Sequence, residues 1–117
     1  MTIKQCYDAA GGKFEDVLAR LGSEERVIKF SSRFFETGDY ESLEKSVSIR
    51  DVVNAFNYAH RIKGNALNVG FDHFVKTIDP LVEFLRSREI EDENTLDQLF
   101  DTVKKEYFTL KKVFSQL

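Results

Sequence analysis

His60, Lys63 and Gly64 are the residues of this chain whose types and spacing suit a reaction. On an α-helix, positions i, i+3 and i+4 share a face. The three therefore make one small surface: an imidazole, an ammonium beside it, and a gap where a side chain would stand. A neutral imidazole is nucleophilic near pH 7 and belongs to the side chains that form covalent intermediates. A phosphoryl group on its nitrogen carries negative charge, which Lys63 can meet with a charge-assisted hydrogen bond. Gly64 inside a helix costs roughly 1 kcal/mol relative to alanine. Clearance beside His60, for a phosphoryl group and a partner's acidic pocket, would offset that cost. A close helix crossing at Gly64 is the alternative. Lys63, for its part, could be a merely solvated lysine.

The charge pattern points the same way. The chain has a net charge of −3, yet no Asp or Glu occurs from Val52 to Phe71, where Arg61 and Lys63 are the only charged residues. A surface that receives an anion, or faces an acidic partner, would exclude carboxylates like this. Val53, Phe56, Asn57, Gly64, Leu67 and Phe71 lie near the meridian of His60, and those left exposed would make a patch for a transient partner. Asn57, Arg61 and Leu67 are the candidate partner contacts.

The elements that must hold this surface read as helices throughout. Thr2 caps a short helix over Ile3 to Ala10, stopped by Gly11-Gly12, and a second runs from about Phe14 to Leu21 and ends at Gly22. Ser23 caps a third, with Val27, Phe30 and Phe34 inward. Asp39 caps a segment from Tyr40 to about Val47. Asp51 caps the central helix, which runs to about Val69 with Val52, Ala55, Phe56, Ala59, Ile62, Ala66 and Val69 facing the core. His60 lies about 100° round from Ala59, at the edge of that stripe. Gly70 closes the helix in the left-handed manner. Phe71 to about Arg88 is the antiparallel return, with a kink or a break expected near Asp79 because Pro80 removes a backbone donor. The last helix spans about Thr95 to Ser115. This pattern predicts an all-α chain of one domain, residues 1–117. It would be an antiparallel four-helix bundle, its core at about 51–117, with additional short N-terminal helices packed on it.

The stretch Ala59-His60-Arg61-Ile62-Lys63-Gly64-Asn65-Ala66-Leu67-Asn68-Val69-Gly70 resembles the signature of the histidine phosphotransfer (HPt) domain, roughly A-H-x-L-K-G-x-x-x-x-L-G. Ala59, His60, Lys63, Gly64 and Gly70 match; Ile62 and Val69 stand where the family more often has leucine. The text from Tyr7-Asp8-Ala9-Ala10-Gly11-Gly12 onward is also similar. The resemblance implies a phosphocarrier of two-component phosphorelays. His60 would accept a phosphoryl group, through Nε2, from an aspartate on a response-regulator receiver domain, often part of a hybrid sensor histidine kinase. It would pass the group to an aspartate on another receiver. Lys63 would stabilise the phosphoryl charge and Gly64 would provide clearance. The carrier is not itself an enzyme with a nucleotide site. It needs no cofactor, since the Mg²⁺ and the acidic pocket belong to the receiver.

Two rival readings keep the same bundle. One is the phosphoacceptor input domain of a chemotaxis-type histidine kinase, labelled directly by a linked ATP-binding domain. The other is a bundle that binds receivers without carrying phosphate. A hydrolase lacks a second catalytic group beside His60.

The remaining residues have plainer readings. Slight acidity argues against general nucleic-acid binding. A single cysteine, Cys6, fits a reducing cytoplasm and a small packed residue. No N-terminal run resembles a signal peptide, and no stretch of about 20 apolar residues could span a bilayer, so no membrane insertion is expected. His60, His73 and Cys6 lack metal-ligand spacing, and no metal site is expected. His73 has no Lys-Gly following it and reads as structural or solvated. Eleven phenylalanines recur at helical spacing and read as core. Lys104-Lys105 and Lys111-Lys112 make a basic amphipathic helix, either a closing helix or a membrane-surface one. A cytoplasmic monomer is expected.

Overall fold

Side-chain oxygens start four of the helices. Thr2 Oγ1 accepts from Gln5 N–H, and the Gln5 side chain accepts in return from Thr2 N–H, a reciprocal capping box. Ser23, Asp51 and Asp92 accept in the same way from Arg26, Asn54 and Asn94. Glycines in the left-handed region (Gly11, Gly22 and Gly70) follow three of the helix ends. The computed structural model describes residues 1–117. In chain order it contains α1 (Ile3–Ala10), α2 (Phe14–Leu21), α3 (Glu24–Phe34), α4 (Asp39–Ser48), α5 (Val52–Asn68), α6 (Asp72–Leu85) and α7 (Glu93–Phe114), with no strand.

Four consecutive helices follow one another in space as in sequence: α4 packs on α5, α5 on α6, and α6 on α7. Three-residue links join α4 to α5 and α5 to α6, which forces each pair to run antiparallel. Tyr40 of α4 stacks on Tyr107 of α7 with centroids 4.1 Å apart. Burial pushes the Tyr107 hydroxyl up to about 12, so it stays neutral in the core. α4 covers α5 as fully as α6 does, so the packing around α5 reaches back to Asp39.

The N-terminal helices close one end. The Tyr7 hydroxyl donates to Val69 O at 2.6 Å from a fully buried position. Its ring joins Phe14, Phe71 and Phe114. Gly70, at φ 72°, is packed so closely that an added Cβ would lie 2.1 Å from Val17 Cγ2.

Three local expectations change. Gly38, not Asp39, precedes α4, and Thr37 Oγ1 accepts from Asp39 N–H at 3.2 Å. Asp39 is the first residue of α4 and is nearly buried. On α3 the buried residues are Val27, Ser31 and Phe34, while Phe30 is exposed. Ser31 meets its own polar need through Ile28 O at 3.1 Å. α6 runs through Pro80 without a break. Pro80 and Lys76 are both exposed, so water can serve the carbonyl that proline leaves without a donor.

Candidate functional site

α5 positions the site. Ala55, Phe56, Ala59, Ile62 and Ala66 are buried, and this fixes which way the rest of the helix points. His60, one residue past Ala59, is exposed at the edge of the buried stripe. Its ring lies nearly parallel to Phe56, one turn back, with centroids 5.7 Å apart and planes 15° apart. The stack holds the imidazole plane by dispersion and leaves the ring edge, where the nitrogens are, open. No hydrogen bond occupies either nitrogen.

Gly64 is exposed, and a Cβ built there would meet no atom within 4 Å. A helix crossing therefore does not account for this glycine. The notch beside His60 is open space. Val53 and Leu67, seven residues either side of His60, are each 50% exposed, and Asn57 is exposed between them. Phe56 and Phe71 are buried and do not belong to the exposed patch.

The two cations of the carboxylate-free stretch are paired with other helices. Arg61 Nη1 donates to Asp39 Oδ1 on α4 at 3.2 Å, and its guanidinium lies 5.4 Å from the Tyr58 ring centre. Lys63 Nζ donates to Asp79 Oδ1 on α6. Absence of Asp and Glu from α5 thus does not leave the surface free of carboxylates. Folding brings them in from neighbours. Arg61 fastens α5 to α4 while its side chain remains 58% exposed.

Further cations stand at the Phe56 end. The Arg88 guanidinium is 4.7 Å from the Phe56 ring centre and that of Arg86 is 5.5 Å away. Arg86 also donates to both oxygens of Glu83, at 3.0 and 2.9 Å. This holds the Glu83 carboxyl below its usual range. Asp79, Glu83, Arg86 and Arg88 are the residues that reading α5 alone could not supply. The signal for the first three was present as an i, i+4, i+7 row through α6 to the residue just past its end, legible only once the short turn at Val69 to Phe71 sets the register.

Elsewhere, His73 Nε2 lies 3.3 Å from Glu106, on a different face, and Cys6 is buried. No group of three or more His, Cys, Asp or Glu side chains is arranged to hold a metal ion. No helix is long and apolar enough to cross a membrane. The arrangement at His60 offers an imidazole with an open edge, a lysine three residues on whose ammonium is held by Asp79, and open space at Gly64. No protein-family model, no curated protein and no solved structure matches this chain.

Proposed function

We propose that the chain is a phosphocarrier of the histidine phosphotransfer kind, with His60 as phosphoacceptor. The observation that carries the reading is an exposed, unbonded imidazole fixed by a ring stack, with Lys63 three residues on and an open notch at Gly64. On this reading α4, α5, α6 and α7 are the antiparallel four-helix bundle of such domains, with α1, α2 and α3 as additions. Localisation in the cytoplasm follows from the partners it would need.

The step balances without a cofactor on this chain. The lone pair of His60 Nε2 attacks the phosphorus of an aspartyl phosphate in line. The bond from phosphorus to the aspartate oxygen breaks, and the carboxylate leaves with that electron pair. The imidazole keeps its Nδ1 proton, and its new positive charge sits against the phosphoryl group. Reversal toward a second receiver uses the same geometry. Positioning and charge neutralisation carry such transfers. The receiver brings Mg²⁺ and the acidic pocket, and the hybrid sensor kinase supplies the first phosphoryl group. Val53, Asn57, Gly64 and Leu67 offer an uncharged docking strip around the nucleophile, with Arg61 at its margin.

The test uses His60→Gln, which should keep its helicity by circular dichroism because His60 is exposed. Incubated with a phosphorylated receiver domain and Mg²⁺, the wild-type chain should take up label and the variant should take up none. Equal labelling of both contradicts the assignment. Labelling by ATP and a kinase domain, but not by any phospho-receiver, would favour the input-domain alternative.

A further inference from the structure

Two rows of side chains face each other across the groove between α5 and α6. Phe56, His60 and Lys63 stand on α5 at i, i+4 and i+7, and Asp79 and Glu83 on α6, with Arg86 just past its C-terminal end, repeat the same spacing. The rows run in opposite directions and touch at both ends. Lys63 donates to Asp79, and Arg86 lies against Phe56. The register between these two contacts sets Glu83 at the level of His60. Glu83 is already engaged by Arg86 at 2.9 Å. Lys63 is the cation one helical turn on from His60, and it is held by a carboxylate 16 residues away.

We propose that Asp79 is a positioning residue: it holds the Lys63 ammonium at the rim of the His60 site and yields it to a phosphoryl group once one is attached. This rests on the reading of His60 as phosphoacceptor. With a neutral imidazole nearby, Asp79 is the strongest acceptor within reach of Lys63. A phosphoryl group on Nε2 brings about −1.5 to −2 charge and three acceptor oxygens. The ammonium has three donors on a flexible stem and can transfer to it or bridge both anions. Lys63 is 25% exposed and Asp79 is 44% exposed, so water can take over the released carboxylate. Asp79 thus competes with the phosphoryl group for one cation and makes the phosphohistidine less stable than Lys63 alone would.

The test needs no protein partner. Phosphoramidate transfers its phosphoryl group to imidazole nitrogen, with the P–N bond of the donor breaking as ammonia leaves. The full-length chain is labelled this way, freed of donor, and the decay of phosphohistidine is followed by phosphorus NMR. Asp79→Asn should lengthen the half-life by roughly 1.5-fold to fivefold, the range of a partly exposed ion pair. Asp79→Glu should bring it back toward wild type. In a Lys63→Ala background, Asp79→Asn should change nothing. An unchanged half-life in Asp79→Asn overturns the inference while leaving the phosphocarrier reading intact. An equal lengthening with Lys63 absent also overturns it, since Asp79 would then act only by repelling the phosphoryl group. Failure of the wild-type chain to accept label at His60 overturns both.

Discussion

The two glycines that follow His60 have opposite surroundings. Gly64 stands in open space at an ordinary helical position, so nothing within the chain requires its lack of a side chain, and on the proposed reading the space admits a receiver. Gly64→Gln should leave the thermal midpoint unchanged or raise it, by up to about 1 kcal/mol in helix propensity, while abolishing transfer from a receiver. A melting curve and a transfer assay on the same variant check both halves. Gly70 is at φ 72°, and its missing Cβ is what lets Val17 of α2 approach. Gly70→Ala should destabilise the chain by on the order of 3 kcal/mol, from left-handed backbone strain and overpacking together. Denaturant titration measures it. Sequence spacing made His60, Lys63 and Gly64 legible because their relation is local to one helix. It could not show that a glycine six residues on is a packing residue, since that depends on Val17. Nor could it show that Lys63 is paired, since Asp79 reaches it only through the register of α6.

Helix identities were legible for a physical reason: caps and left-handed glycines are written in a few adjacent residues. Thr2, Ser23 and Asp51 all start helices as their chemistry requires. Orientation was less legible where two faces are nearly equally apolar. On α3, Phe30 and Ser31 are neighbours, and the packing of α3 against α1 and α2 buries the serine. Links between distant elements were not legible at all. Arg50, at φ 59° between α4 and α5, donates to both oxygens of Asp97 on α7, at 2.8 and 3.0 Å. The Arg50 hydrogen bonds hold the Asp97 carboxyl below its usual value of 3.8. A group whose folded pKa is depressed contributes stability above its unfolded pKa and loses it as pH falls through the folded value. Asp97→Asn should therefore melt lower than wild type at neutral pH. The gap should close as pH falls below about 4. Thermal melts across that range would show a constant gap if the pair contributes nothing.

Across the whole molecule, the aromatic core and the reactive surface are kept apart along α5. Phe34, Phe35, Phe71, Phe74, Tyr107 and Phe114 cluster with Tyr7 where α1 meets the end of α5. The Tyr7 anchor at Val69 is nine residues, about 13 Å, from His60 along the axis. Tyr7→Phe strands a buried carbonyl and should cost about 1–2 kcal/mol without altering labelling of His60. Stability and labelling measured together would show whether the two ends are independent. An all-helical chain was legible from periodicity alone, but the part α4 plays beside α5 was not, because its short amphipathic pattern names no partner. The central claim concerns one nitrogen on that surface. The most direct test is intact-mass and peptide mapping after incubation with a phosphorylated receiver domain and Mg²⁺. The account predicts one added phosphoryl group, acid-labile and alkali-stable, on the peptide bearing His60. No adduct, or an adduct on His73 or on a hydroxyl side chain, would contradict it.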